Sequence, residues 1–294
     1  NPMPSCLSAF GSVRTRQKIQ SARCASDVQI FCPRGKKSEV ACGDRVDIQR
    51  TSDDQGVIEA IQPRTSLLYR SNEIKQKLIA ANVDQVVIVV ATEPGFSDEL
   101  VTRALLAAES EEIEPLIVLN KCDLTDKVPA ARAQLAVFAG LGYRVLELSA
   151  REHAEDLRPE LHGYTSVLVG QSGMGKSTLV NALVPEARAA TREISSALDS
   201  GKHTTTHATL YHLDADSQLI DSPGLQEFGL GHLDRQEIEL AFREFRPYLG
   251  QCRFRDCHHN REPDCALQAA VAAGEIDSRR FTIYHRIMGT QRAG

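Results

Sequence analysis

Apolar positions change their period twice along the chain. From Ser12 to about Arg70 they fall in short β-leaning runs, DVQIFC, RVDIQR and GVIEAIQ, separated by the turn-forming stretches PRGKK, CGD and SDDQG. That spacing predicts a small all-β barrel. After Ser71 short apolar runs alternate with helical spacing. DQVVIVVAT predicts a buried strand, SDELVTRALLAAESE a helix capped by Ser97, and EPLIVLN a second strand. DKVPAARAQLAVFAGLG predicts a further helix, YRVLELSA and YTSVLVG two more strands, and KSTLVNALV the helix that follows a glycine-rich loop. Strands and helices that alternate in this way build a mostly parallel sheet covered on both faces. Near Leu230 the pattern changes again, to helical segments around a Cys/His cluster.

The 294 residues suffice for two or three domains, and 42% hydrophobic content supplies ordinary cores. The longest purely apolar run, VVIVVA, is far below the roughly 20 residues that cross a bilayer, so no membrane partner is expected. Residues 1–11, uncharged and containing Pro and Ser, read as a flexible or trimmed end, and a cytoplasmic location is expected. The net charge of −5 conceals an asymmetry, because residues 12–70 carry eleven Lys/Arg against seven Asp/Glu. That portion is the candidate for a polyanion contact. Of the eight cysteines, Cys252, Cys257 and Cys265 crowd beside His258 and His259. In a reducing compartment such a cluster points to metal before disulfides.

Chemistry gathers at five motifs. In VGQSGMGKST the residues Gly170, Gln171, Ser172, Gly173, Met174, Gly175, Lys176, Ser177 and Thr178 match a phosphate-binding loop. Its glycines let backbone N–H groups approach phosphate oxygens, Lys176 sets a cation against them, and Ser177 offers a hydroxyl to Mg²⁺. In NKCD, Asp123 can accept from the N1–H and 2-amino groups of guanine, which adenine does not offer; Asn120 would secure the loop and touch the base edge, and Lys121 would cover the ring. ELSA brings Ser149 and Ala150, whose backbone N–H could donate to the guanine O6. LIDSPG supplies Asp221 for Mg²⁺ and Gly224 for the γ-phosphate. Between these lies SGKHTTTHATLY, where Thr204, Thr205 and Thr206 are not separated by spacing; Thr205 is the working choice for the metal shell.

The order of motifs, base reader before phosphate loop, is a circular permutation of the usual one. A domain whose ends lie close tolerates rejoining and reopening. On these motifs the chain resembles the RsgA (YjeQ, EngC) family of circularly permuted, small-subunit-dependent GTPases, from about Ser12 onward. The resemblance implies a multidomain α/β protein: an RNA-binding OB-fold β-barrel at 12–70, a permuted P-loop GTPase domain at 71–230, and a helical zinc-binding domain at 231–294. It implies GTP and GDP as ligands, Mg²⁺ with the nucleotide, and one structural Zn²⁺ held by Cys252, Cys257, His259 and Cys265, with His258 as the rival ligand. The implied partner is the 30S subunit with its 16S rRNA, for a chain that acts as a monomer. Leu225 stands where related switches carry a water-orienting Gln, and the resemblance gives that task to His203, with Lys176 and Thr205 completing the catalytic set. A tail bearing Arg279, Arg280, Phe281, Tyr284 and Arg286 is compatible with RNA contact, and equally with packing on the barrel or the GTPase domain. The rival expectations are a P-loop kinase and a non-enzymatic RNA-binding module.

Overall fold

The computed structural model describes residues 8–9, 20–24, 27–33, 40–50, 55–72, 75–184, 187, 208–222 and 230–291. Five strands, β1 (Ser8–Ala9), β2 (Gln20–Cys24), β3 (Asp27–Pro33), β4 (Asp44–Arg50) and β5 (Gln55–Ile61), form a sheet in the order β1-β4-β5-β3-β2. All pairs are antiparallel except β3 with β5, and the edge strands β1 and β2 also touch. This is the five-stranded Greek-key order of an OB barrel. A hairpin of β6 (Leu67–Asn72) and β7 (Lys75–Ala81) leads out of it and straddles the boundary expected at 70/71.

The central sheet comprises β8 (Gln85–Ala91), β9 (Glu114–Asn120), β10 (Arg144–Glu147), β11 (Thr165–Val169), β12 (Thr209–His212) and β13 (Gln218–Asp221). Its order is β10-β9-β8-β11-β13-β12, parallel throughout save the edge strand β12. Two chain-contiguous halves, β8 to β10 and β11 to β13, meet at a single seam where β8 pairs with β11. Every residue of β8 is buried, which explains its unbroken apolar run. Alternate side chains serve two cores: Val86, Ile88 and Val90 face one, Val87, Val89 and Ala91 the other.

Helix α1 (Asp98–Ser110) and α2 (Val128–Gly140) contribute to the first core; the short α3 (Arg158–Leu161) and α4 (Lys176–Leu183) contribute to the second. Ser97 occupies the N-cap of α1 as expected, yet its side chain makes no capping bond among the described residues. The C-terminal part holds α5 (Arg235–Ala241), α6 (Ala266–Ala272) and α7 (Ser278–Gln291). A reciprocal capping box of Asp234 and Glu237 starts α5.

Of the two readings of the basic-aromatic tail, the structure supports packing for Arg280 and Tyr284. Arg280 is 1% exposed: its guanidinium donates to Glu244 Oε1 at 2.7 Å and to Thr102 Oγ1 of α1 at 2.7 Å, and it lies over the rings of Phe242 and Phe138. Tyr284 is equally buried and edges against Phe242 and Phe245. These two residues fasten α7 to the rest of the molecule and are out of reach of RNA. Arg279 and Arg286 are exposed but pair with Asp98 and Glu99 of α1.

Candidate active site and metal centre

Strands β8, β9, β11 and β13 run parallel, so their carboxyl ends share one edge, where open α/β sheets take their ligands. Asn120 ends β9, Gly170 follows β11, and Asp221 ends β13. Between Gly170 and Lys176 the chain turns tightly enough that only glycine fits at two places. A Cβ on Gly170 (φ +141°) would lie 2.3 Å from the Val89 carbonyl oxygen, and one on Gly175 (φ +94°) 2.2 Å from Asn120 Nδ2. The base-reading and phosphate loops therefore interlock.

Asn120 is the tie. Its Nδ2 donates to the Met174 carbonyl at 2.8 Å, while its Oδ1 accepts from Lys121 N at 2.7 Å and from Ala150 N at 2.8 Å. The Ala150 N–H expected to face guanine is thus engaged by Asn120 in this structure. Lys121, in a left-handed conformation (φ +64°), donates through Nζ to the carbonyls of Gly173 and Glu93, both at 2.7 Å. Thr92 Oγ1 donates to the Lys121 carbonyl at 3.0 Å. The Asp123 carboxylate is exposed and has no hydrogen-bond or ion-pair partner among the described residues. The Ser149 hydroxyl, at the Ser-Ala loop, is buried and has no hydrogen-bond partner among the described residues.

On the phosphate side, Lys176 is buried and donates to the carbonyls of Gly170 (2.7 Å) and Gln171 (2.9 Å). Burial lowers its pKa, with Asp221 pulling the other way. Burial also pushes Asp221 up to about 6, opposed by Lys176. Ser172, Gly173, Ser177 and Thr178 are exposed at the loop and the first turn of α4, while the Met174 side chain is buried in the second core. His203, Thr204, Thr205, Thr206, Gly224 and Leu225 lie outside the described residues.

The second centre lies in the C-terminal part. One donor atom from each of Cys252, Cys257, His259 and Cys265 lies within 4.8 Å of all the others. His259 Nδ1 is 3.5 Å from Cys252 Sγ and 3.3 Å from Cys265 Sγ, and the two sulfurs are 3.9 Å apart. A tetrahedral zinc with ordinary Zn–S and Zn–N bonds needs donor separations of about 3.5–3.8 Å, so the residues fit that ion and leave no open position. Burial pushes the Cys257 thiol up to about 12, a penalty that a coordinated cation reverses by taking the thiolate. His258 is exposed and turned to the Arg235 guanidinium, which decides between the two histidines in favour of His259. Glu262 shapes the loop: its carboxylate accepts from the backbone N–H groups of His258, Asn260 and Arg261, which hold its pKa down to about 2.

Comparison with known proteins identifies the family. A family model described as RsgA GTPase matches residues 61–231. The small ribosomal subunit biogenesis GTPase RsgA of Burkholderia pseudomallei (strain K96243) is 57% identical over 267 residues, covering 90% of this chain and 85% of that protein. Its namesake in Nitrosospira multiformis is 54% identical over 257 residues, covering 87% and 82%. The chain belongs to the RsgA GTPase family. The crystal structure of YjeQ from Thermotoga maritima superposes with a TM-score of 0.71 at 28% identity over 98% of both chains. YloQ, a circularly permuted GTPase, gives 0.67 at 26% identity, covering 98% of this chain and 94% of that one. GTP hydrolysis is therefore the reaction the site has to account for, and the kinase and the non-enzymatic module are set aside.

Sequence reasoning missed the residues that hold these centres in shape. Glu239 on α5 accepts from Tyr284 OH and Arg235 Nε, each at 2.7 Å, and lies 3.4 Å from His259 Nε2. Burial works against its charge, but the bonds from His259, Tyr284 and Arg235 outweigh it and hold the carboxyl below the usual range. Glu93, which anchors Lys121 through a backbone carbonyl, carried no side-chain signal at all.

Proposed function

We propose that this protein hydrolyses GTP in the cytoplasm while bound to the maturing 30S subunit, and that the subunit stimulates turnover. The observation that carries this reading is the bonding of Asn120 to both Met174 and Ala150, which joins base reader, Ser-Ala loop and phosphate loop at one sheet edge. Asp123, exposed and without a hydrogen-bond or ion-pair partner among the described residues, accepts from the guanine edge, and Ala150 N–H, bonded to Asn120 in this structure, exchanges that bond for one to the O6. Lys176 leaves its two loop carbonyls for phosphate oxygens, and the N–H groups of residues 172–178 with the N-terminus of α4 take up the rest of the negative charge.

Ser177, Asp221 and Thr205 would hold Mg²⁺, which would supply the remaining neutralisation of the phosphates with the nucleotide in place. The reaction adds water to the γ-phosphorus, breaks its bond to the β–γ bridging oxygen, and releases GDP and phosphate. His203 orients the water, since Leu225 has no group that can, and Gly224 N–H reads the γ-phosphate. Residues 12–70, 71–230 and 231–294 serve as RNA-binding barrel, GTPase domain and zinc domain, in a chain that works as a monomer. The surplus of Lys/Arg in residues 12–70 supports 16S rRNA as the partner of the barrel.

The deciding measurement is GTP turnover with and without purified 30S subunits. Stimulation by the subunit is expected; an unchanged rate at saturating subunit rejects the reading. In single-turnover assays on 30S, His203→Ala is expected to lose roughly 10²-fold or more in rate with GTP binding intact. Retention of a rate within about threefold removes His203 from the reaction.

A further inference from the structure

The two ring nitrogens of His259 face different neighbours. Nδ1 points at the sulfurs of Cys252 and Cys265, 3.5 and 3.3 Å away, and Nε2 lies 3.4 Å from Glu239 Oε1. A neutral imidazole carries one proton, and the nitrogen without it is the one that can bind a metal. With the proton on Nε2 and shared with the carboxylate, the lone pair of Nδ1 is left pointing into the sulfur cluster.

Glu239 is itself held from two helices. Tyr284 OH, from α7, and Arg235 Nε, from the first turn of α5, each donate to the same Oε1 at 2.7 Å. Both the glutamate and the histidine are more than nine-tenths buried, so neither ring nor carboxylate is free to rotate into water. Arg235 also donates to the Cys257 carbonyl and meets His258 Nδ1, which fastens the backbone of the ligand loop to the helix that carries Glu239. Three thiolates around one Zn²⁺ leave a net negative charge, and a further bare carboxylate would repel it. The Arg235 guanidinium on Glu239 removes that objection.

We propose that Glu239 is the positioning residue of the metal centre: it selects the Nε2–H tautomer of His259, fixes the plane of the ring, and makes Nδ1 the zinc ligand. This rests on the zinc reading of Cys252, Cys257, His259 and Cys265. Outer carboxylates of this kind typically change metal affinity 10- to 100-fold. The role ties the ligand loop to α5, which packs on α1 of the nucleotide-binding part.

The test uses the full chain as wild type, Glu239→Gln and Tyr284→Phe. Zinc content after purification without chelators comes first, then zinc affinity by competition with a chromogenic chelator. The ¹⁵N NMR signals of the imidazole rings report which His259 nitrogen bears the proton in the zinc-loaded protein. One zinc per wild-type chain is expected, with affinity lowered roughly 10- to 100-fold in Glu239→Gln and by a smaller factor, in the same direction, in Tyr284→Phe. The Nε2–H signal of His259 should broaden or shift in both variants. Should Glu239→Gln fail to fold, Tyr284→Phe, which removes one hydroxyl and no charge, carries the test alone. A zinc-loaded wild type whose folded variants keep affinity within about twofold and an unchanged His259 signal overturns the role of Glu239 while leaving the four ligands intact. A wild type without zinc overturns both.

Discussion

The nucleotide site and the metal centre solve opposite problems. At the nucleotide site the polar groups bond to one another: Lys176 to two carbonyls of its own loop, Lys121 to two more, and Asn120 to three backbone groups. A phosphate arriving there takes the Lys176 donors from two loop carbonyls, so binding is an exchange of partners rather than the filling of unpartnered donors. At the metal centre four donors converge within 4.8 Å of one another, and the Cys257 thiol is pushed up to about 12 by burial. Those groups gain little from each other and much from a cation. One site is arranged to exchange its ligand and the other to keep it.

The largest expected effect tests retention. Cys257→Ser removes one of four closed-shell ligands, so zinc per chain after purification should fall below about half an equivalent, with a lower melting temperature. Metal analysis and a thermal scan check it, and full zinc occupancy would break the contrast. Lys176→Ala should reduce GTP turnover roughly 10²- to 10³-fold in single-turnover assays while leaving zinc content untouched.

Gly175→Ala probes the interlock. The added Cβ meets Asn120 Nδ2 at 2.2 Å in a backbone conformation that alanine resists. A cost of about 1–3 kcal/mol is expected, read as a roughly 5- to 150-fold weaker GTP affinity. Unchanged affinity would show that the two loops do not depend on each other.

The smallest effect concerns Asp221, whose pKa rises from the ordinary 3.8 to about 6 through burial. The folded chain therefore holds a proton that the unfolded chain releases between those values. Stability falls as pH rises through that window, and the loss is complete above it. Asp221→Asn should stabilise protein stripped of nucleotide by at most about 3 kcal/mol at pH 7.5 and by little at pH 4, while weakening its response to Mg²⁺. Denaturant titrations at the two pH values measure it; equal shifts at both would remove burial of the charge as the cause.

Much of this was legible in the sequence because it rests on local covalent pattern. The apolar run of β8 announces a strand buried on both faces, and the glycines around Lys176 mark backbone that side chains would obstruct. The spacing of Cys252, Cys257, His259 and Cys265 survives folding because the ligands lie within fourteen residues. What stayed hidden joins distant segments. Asn120 meets a backbone carbonyl 54 positions away, and a carbonyl has no residue type to betray it. For Arg280 and Tyr284 the sequence left RNA contact and packing undecided, because their composition fits a basic-aromatic surface and an internal anchor equally well. Their burial depends on Glu244, 36 positions away, on Thr102, 178 away, and on Glu239, 45 away.

The seam in the central sheet bears on how the chain is made. Strands β8 to β10, with the base reader, are synthesised well before β11 to β13, with the phosphate loop, and the pairing of Gln85 with Ser166 that joins them spans 81 positions. Pairing across so long a separation is non-local, and non-local pairings slow folding. In the binding mode proposed above, a guanine nucleotide would touch both sides of that pairing, its base on the half made first and its phosphates on the half made last. Bound in that way, GTP or GDP would act as a clasp, and refolding in its presence would favour the joined sheet by mass action.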